Sequence, residues 1–412
     1  VAETTRYSTE CILPRTCRTI ASICRTGDRT ESPAGNSPTG RQAQTGWRGA
    51  LFARRFWSSP VSLPVSRRSF LSLATTGVTV SALGLAPAAE AARKRANLNE
   101  HPLGPAPAAM DAATRSLARS GLYLFEMEQD LRNLMTGELQ LPNDHLLLFP
   151  GSRDALNRAT SLFTSARAGL VVADPSFDPL IDSATARGVA VRADGAHDVK
   201  AMAKADPTAG MLYLCNPGNV TGGIIPRADI EWLLANKPAS AVLVVDEAYL
   251  QYSNEPSVAD LLRQRQDLMV LRSFSKLYGM AGLRLGAALA PPGLQTKLAA
   301  FGSNPLSVPA MAAGIASLRD PLLVQTRRAD NARVRDETIA WLKGKGYTCM
   351  PSQANCFLLD VKRDAGVFAD SMQKQGVIVG SSWPIWPKRV RVSVGTEAQM
   401  LRFRETFGKA KR

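Results

Sequence analysis

The 412-residue chain has no methionine before Met110, only three histidines and only six cysteines. Cys11, Cys17 and Cys24 lie near the start, and Cys215, Cys349 and Cys356 come far later. None forms a C-x-x-C pair or stands at zinc-finger spacing from a histidine, which argues against a thiol-held structural metal or a dithiol redox motif. Cys215 and Cys356 sit in apolar runs and read as small buried hydrophobes. Internal repeats are absent too, which excludes a solenoid. Acid is scarce relative to base, 35 Asp and Glu against 50 Lys and Arg. That imbalance suggests a nucleic-acid partner only if it covers a folded face. It does not: residues 1–95 hold 14 Arg and Lys against 5 Asp and Glu, so most of the net charge of +15 belongs to a leader, and no nucleic-acid partner is expected. The remaining composition, 45% hydrophobic and 21% charged, is that of a globular protein with a large core.

Residues 1–65 show neither helical nor strand periodicity and are rich in Arg, Thr, Ser, Gly and Pro, so disorder is expected. The chain opens on valine, and a start at Val65 from an alternative initiation codon would leave a compact segment, 66–91. In that segment Ser66-Arg67-Arg68-Ser69-Phe70-Leu71 precedes a mildly apolar, uncharged stretch and an Ala89-Glu90-Ala91 exit. It resembles a twin-arginine signal. The resemblance implies passage through the twin-arginine translocase to a periplasmic or secreted location. The alternative is an uncleaved segment that anchors the chain in a membrane. Such export carries proteins already folded in a reducing compartment, so no disulfide is required.

From Asn97 onward, apolar runs alternate with helical-period segments. The runs are Leu146–Phe149, Leu170–Val172, Val189–Val191, Met211–Leu214, Ala241–Val245 and Leu268–Leu271. Their continuous apolarity predicts strands buried on both faces, hence a largely parallel sheet between helices, an α/β architecture. After about Pro291 the rhythm changes. A long polar helix is expected over Leu322–Lys343, strands over Cys356–Leu359 and Val390–Val394, and helices over Gly366–Gln375 and Glu397–Phe407. This predicts a large domain over 97–290, including an N-terminal arm, and a smaller α+β domain over 291–412.

Arg272-Ser273-Phe274-Ser275-Lys276-Leu277-Tyr278-Gly279, continuing to Arg284 and Gly286, is the most informative stretch. A lysine just beyond a strand end needs a reason to be buried, because desolvating an ammonium is costly. Kept partly neutral, it is a nucleophile for an aldehyde, while Ser273, Ser275 and Arg284 suit a phosphate dianion. Val244-Val245-Asp246-Glu247-Ala248-Tyr249 ends a strand in an acid that reads as a metal ligand or a helix cap. Asn216-Pro217-Gly218-Asn219-Val220-Thr221-Gly222 is a turn, and Pro150-Gly151-Ser152-Arg153 opens a helix whose free N–H groups suit an anion.

Together these segments resemble the class I and II aminotransferases of fold type I. The resemblance implies pyridoxal 5'-phosphate (PLP) as cofactor and a mostly parallel seven-stranded sheet. It further implies a Schiff base on Lys276, which then shuttles the proton in transferring an amino group to a 2-oxo acid. Asp246 would hold the pyridine nitrogen protonated, and Tyr249 and Asn219 would touch the phenolic oxygen. Phe177, after Asp174-Pro175-Ser176, would stack on the ring. Ser152, Arg153, Ser273, Ser275 and Arg284 would hold the phosphate. Leu98-Asn99-Glu100-His101-Pro102 and Val390-Arg391-Val392-Ser393-Val394-Gly395-Thr396 are similar to the opening and closing motifs of the histidinol-phosphate aminotransferase branch. By that likeness Arg391 clamps a substrate carboxylate, Asn355 and His101 join the substrate site, and Tyr123 reaches the cofactor phosphate of the other subunit in a homodimer.

The departures concern the substrate. Gly380 stands where the branch has an arginine for the substrate phosphate, and Trp383 and Trp386 follow it. A lost cation and two indoles predict a less anionic donor than histidinol phosphate, with a partly protonated His101 as the only compensation. A lyase, decarboxylase or oxidase on the same scaffold, or a binding protein without activity, are the competing classes.

Overall fold

The computed structural model describes residues 94–195, 198–302, 305–380 and 382–410, all within one compact unit. The expected leader over 1–65 and the expected signal over 66–91 lie outside the described residues, as does Ser381. The described chain begins with strand β1 (Lys94–Ala96) and helices α1 (Pro107–Ser116) and α2 (Phe125–Leu139). The apolar runs then form a seven-stranded sheet. Its strands are β2 (Leu146–Phe149), β3 (Leu170–Asp174), β4 (Val191–Gly195), β5 (Met211–Cys215), β6 (Val242–Asp246), β7 (Leu268–Ser273) and β8 (Gly286–Leu289), in the spatial order β2-β8-β7-β6-β5-β3-β4.

Strands β3 to β7 pair in parallel, and β8 alone runs antiparallel to both its neighbours. Every residue of β5, β6 and β7 is buried. That is why these runs show no polar alternation: helices cover both faces of the sheet. Strand β4 begins at Val191, where the expected run ended, and β8 was not expected at all. Its Gly-Ala-Ala-Leu sequence has low strand propensity and is held between β2 and β7 by pairing. Beneath β6 and β7, Arg272 and Glu247 form a buried ion pair at 3.2 Å, and Glu247 also accepts from Ser257 Oγ and the Val258 N–H.

The helices α3 (Ser152–Phe163), α4 (Asp178–Ala186), α5 (Val199–Lys204) and α6 (Arg227–Asn236) connect the strands. The expected domain boundary near residue 290 precedes two helices that pack with the large core. Helices α7 (Pro292–Ala299) and α8 (Val308–Leu318) follow it but bury Leu294, Leu298, Ala310, Met311 and Ala313 in the large core, with Leu131 and Leu285. The change of core occurs along α9 (Leu323–Gly344): Leu323 belongs to the large core, Val334 and Leu342 to the small one. A boundary read from rhythm alone misses this, because α7 and α8 are ordinary apolar helices whose partners lie far back in the chain.

The small core joins β9 (Thr348–Cys349), β10 (Cys356–Asp360) and β12 (Arg389–Ser393) in one antiparallel sheet, covered by α10 (Ala365–Lys374) and α11 (Glu397–Lys409). Trp341, Tyr347, Phe368 and Phe403 surround Phe407 with ring centroids 4.8–5.9 Å away. Thr396 and Gln399 cap α11 reciprocally, which fixes the chain just beyond β12. Strand β11 (Val377–Val379) pairs in parallel with β1, tying the arm to the small core. Among the described residues no helix is long and apolar enough to cross a membrane, and Cys215, Cys349 and Cys356 are free and buried.

Candidate active site

From β3 the chain moves outward to β4, then returns on the other side of β3 to lay down β5, β6 and β7. In a sheet of this kind ligands bind outside the carboxyl ends of the strands, where the winding direction reverses. Those ends carry the motif residues: Phe177 three residues after β3, Asn219 four after β5, Asp246 closing β6 with Tyr249 next, and Ser273, Ser275 and Lys276 at the end of β7.

Lys276 is partly buried. Its Nζ donates to the Leu98 carbonyl at 3.0 Å and stands 5.4 Å from the centre of the Tyr249 ring. Burial, and after it the nearby Arg391 guanidinium, lowers its pKa to about 8, against pulls in the other direction from Glu100 and Asp246. At pH 7.5 roughly a quarter of such lysines are neutral, against about one in a thousand at the ordinary value. Asp246 is buried, accepts from Tyr213 Oη at 3.0 Å and from the Ala248 N–H at 3.1 Å, and has no ion pair among the described residues. Burial pushes its pKa up to about 6 in spite of those two donors. A carboxylate held this way at a strand end is completed by a cationic ligand group, which is what a protonated ring nitrogen offers.

A second cluster forms where β8 passes the start of α3. Gly151, in a left-handed conformation at φ 90°, precedes α3 without any side-chain cap, so the first-turn N–H groups at Ser152 and Arg153 are left to an external acceptor. Arg284 packs so closely on Gly151 that a Cβ there would collide with its guanidinium, and a Cβ on Gly286 would strike the Gly151–Ser152 backbone. Arg284 Nη1 donates to the Ala281 carbonyl at 2.9 Å and to Ser275 Oγ at 3.4 Å, and the Ser275 N–H donates to Ser273 Oγ at 3.2 Å. Helix N–H groups, two hydroxyls and a guanidinium form a cradle for a phosphate dianion. Arg153 lies over the face of Phe177, 5.7 Å from its centre, beside this cradle.

The opposite face of the cleft comes from the arm and from β12. Arg391 Nη1 donates to Asn219 Oδ1 at 3.0 Å and to its carbonyl at 3.1 Å, and Nη2 donates to the Asn97 carbonyl at 2.7 Å. Its Nε is buried with no hydrogen-bond partner among the described residues, and the guanidinium sits 5.9 Å from the Trp383 ring centre. Asn355 is buried and donates to the Asn99 carbonyl at 3.0 Å. The indoles of Trp383 and Trp386 pack with Val220, Leu358 and Met350. Two residues here escaped the sequence reading. Asn99 bonds to both faces of the cleft. Asp178, opening α4, interacts with the Trp383 indole and is near Arg391; burial raises its pKa against both of those influences. Asn99 carried a signal only in hindsight, a polar residue inside an arm motif, and Asp178 carried none, since an acid at the first position of a helix reads as a cap contribution.

Lys276, Asp246, Tyr249, Asn219, Arg391 and Asn355 are thus drawn around one cleft, with Ser152, Ser273, Ser275 and Arg284 in the adjoining cradle. Tyr123 does not join them: it is 67% exposed and stacks on Phe125 at 5.7 Å. Nor does His101, which lines a cavity of about 270 Å³ with Arg327, Asn331, Val394 and Thr396 and accepts from the Leu103 N–H. Burial, and after it Arg327, lowers the His101 pKa to about 3, which disfavours the partly protonated form. Gly380, where the branch has an arginine, is crowded: a Cβ there would stand 2.8 Å from the Arg391 carbonyl oxygen, which already accepts the Gly380 N–H.

A parallel-sheet crevice with a partly neutral lysine, a buried carboxylate without an ion pair and a phosphate cradle defines a cofactor-dependent α/β enzyme of the kind that activates amines. Residues 90–407 match the family "Aminotransferase class I and II". A histidinol-phosphate aminotransferase of Symbiobacterium thermophilum is 34% identical over 322 residues, 76% of this chain and 88% of that protein. A crystal structure described as a putative histidinol-phosphate aminotransferase from Erwinia carotovora atroseptica superposes with a TM-score of 0.74 at 26% identity, covering 77% of this chain and 96% of the other. One from Sinorhizobium meliloti, in complex with pyridoxal-5'-phosphate, gives 0.71 at 23% identity over 82% and 98%. The chain belongs to the class I and II aminotransferases. It is a pyridoxal-phosphate-dependent transaminase acting on an amino donor and a 2-oxo acid.

Proposed function

We propose that Lys276 is the residue that joins the cofactor and then carries the proton at the substrate Cα. The observation that bears most weight is its partly neutral Nζ, held between the Tyr249 ring and the arm. The cofactor, when bound, supplies the electron sink for breaking the Cα–H bond. Asp246 holds the ring nitrogen's proton, and Asn219 and Tyr249 address the phenolic oxygen. The helix start at Ser152 and Arg153, with Ser273, Ser275 and Arg284, holds the phosphate. Phe177 covers the ring, which requires Arg153 to leave its face. Arg391, with an unpaired buried Nε, takes the donor's α-carboxylate, assisted by Asn355. A panel of amino donors with 2-oxoglutarate, followed by product analysis, tests the reaction class; release of CO₂ or ammonia without amino transfer would indicate the competing lyase, decarboxylase or oxidase reading.

The relatives carry the name of histidinol-phosphate aminotransferases, but we infer a non-phosphorylated donor here. Gly380 is crowded against the Arg391 backbone, His101 is held neutral and the acid Asp178 stands near Arg391, all of which support a donor without a phosphate dianion. Two or three charge-assisted hydrogen bonds of about 1.5–3 kcal/mol each are thereby forgone. The deciding measurement is kcat/KM for histidinol phosphate against aromatic and aliphatic amino acids; a clear preference for the phosphorylated amine would overturn this reading.

Two further readings concern the assembly and location. The exposed strip of Met110, Leu117, Leu122, Tyr123 and Phe125 supports a homodimer in which Tyr123 serves the neighbouring subunit. The Arg67-Arg68 pair supports export of the loaded enzyme by the twin-arginine translocase. Replacing both arginines by lysine should retain the enzyme in the cytoplasm, and continued recovery of holoenzyme outside it would refute the signal.

A further inference from the structure

Asn99 is 1% exposed and has a left-handed backbone, φ 53°, which asparagine enters more readily than other non-glycine residues but which still needs surroundings that hold it. Its surroundings do. The Asn99 N–H donates to Ser393 Oγ at 2.9 Å, Ser393 Oγ donates back to Asn99 Oδ1 at 2.6 Å, and the Asn99 carbonyl accepts from Asn355. On the other side Asn99 Nδ2 donates to the Asn219 carbonyl at 3.3 Å and to Tyr249 Oη at 3.2 Å. Tyr249 Oη also receives Asn219 Nδ2 at 2.8 Å.

Both amide orientations are fixed by unambiguous partners. The main-chain carbonyl of Asn219 can only accept, so Asn99 presents its NH₂ there. Arg391 can only donate, so Asn219 presents its oxygen to Arg391 and its NH₂ to Tyr249. The Tyr249 oxygen therefore accepts from two amides, and its own proton must point away from both. That hydroxyl is buried at the strand-end cleft beside Lys276, where the proposed reading puts the cofactor's phenolic oxygen.

We propose that Asn99 is a positioning residue: by donating to Tyr249 Oη it turns the tyrosine's proton toward the cofactor's phenolic oxygen, and by its pairing with Ser393 it couples that setting to the strand that carries Arg391. The inference rests on the proposed roles of Lys276 and Tyr249. A donor to the phenolic oxygen stabilises its anion, so the neighbouring lysine-linked nitrogen gives up its proton at lower pH. Loss of the Asn99 amide weakens that donor and should raise the pH midpoint of the bound cofactor's absorbance.

The test is a spectroscopic pH titration of the holoenzyme. Asn99→Gly keeps the left-handed backbone accessible and removes only the amide; its midpoint should rise by about half a unit to one unit, the scale of one lost hydrogen bond. Asn99→Asp should rise further, because a carboxylate attracts the tyrosine's proton instead of redirecting it. In a Tyr249→Phe background Asn99→Gly should add no further shift, which a merely structural role would not reproduce. A midpoint in Asn99→Gly within experimental error of the native value overturns the inference, as does full additivity with Tyr249→Phe. If Asn99→Gly does not hold cofactor, Ser393→Ala, which loosens the same amide, must show a smaller rise in midpoint together with a raised KM; an unchanged midpoint there overturns it equally. A Lys276→Ala enzyme that keeps the native absorbance and turnover would instead refute the site assignment beneath it.

Discussion

The two faces of the cleft are built in different ways. The strand-end face comes from short consecutive segments, each running from a buried strand into a turn: β6 into Asp246 and Tyr249, β7 into Ser275 and Lys276. The facing side is assembled across the whole chain, from the arm at 97–100, from Asp178, from Gly380 and from Arg391 on β12, with Asn99 and Ser393 meeting over 294 positions. A strand end fixes the position and direction of the next few side chains, so chemistry placed there keeps its geometry as long as the sheet persists. A face stitched from distant pieces depends on how two cores and an arm meet, and there small changes alter what is recognised rather than what is done.

Substitutions on the two faces should separate these properties. The largest effect belongs to Lys276→Ala, which removes the covalent link and the proton carrier; turnover should fall to background and the cofactor's lysine-linked absorbance should vanish. Asp246→Ala should still bind cofactor yet lose about 10²–10⁴-fold in kcat, the usual scale for a lost acid–base partner; an unchanged rate would end the assignment of Asp246 to the ring nitrogen. On the facing side Gly380→Ala pushes a methyl against the Arg391 backbone. It should raise KM for every donor several-fold with kcat nearly intact, as expected when only carboxylate docking is disturbed. A fall in kcat at unchanged KM would show that the two faces are not separable in this way.

The smallest effect is one of stability. His101 titrates near 3 in the folded chain and near 6.5 when unfolded. Between those values the unfolded chain binds the extra proton, so the contribution of neutral His101 is complete above pH 6.5 and is lost as pH falls toward 3. His101→Gln should flatten the decline of Tm with acidification over that window and leave Tm at pH 8 nearly unchanged; an identical acid limb would remove His101 from the account.

The same difference between faces explains what the sequence disclosed. Buried parallel strands announce themselves by unbroken apolarity, so β5, β6 and β7 and the chemistry at their ends were legible. Strand β8 was not, since Gly286, Ala287 and Ala288 have no strand character of their own, and Gly286 has no room for a side chain where β8 passes the start of α3. The switch between cores along α9 was hidden because α7 and α8 are apolar whichever core they serve. Gly380 was visible as a missing arginine, but only the neighbouring β12 backbone reveals that the position has no room for a side chain. His101 could be noted as titratable, yet its neutrality comes from burial and, after it, from Arg327, 226 positions later in the chain.

The arm places carbonyl oxygens of Asn97 and Leu98 on Arg391 and Lys276, and β1 begins only three residues before Asn97. The first described residues are thus part of the working site, so a cut that removed the proposed leader would bear on catalysis through where it fell. A peptidase cut after Ala91 leaves Lys94–Ala96 and the whole arm in place, whereas trimming another eight residues would take Asn97, Leu98 and Asn99 with it. An affinity tag joined directly at Asn97 would likewise remove β1 and its pairing with β11.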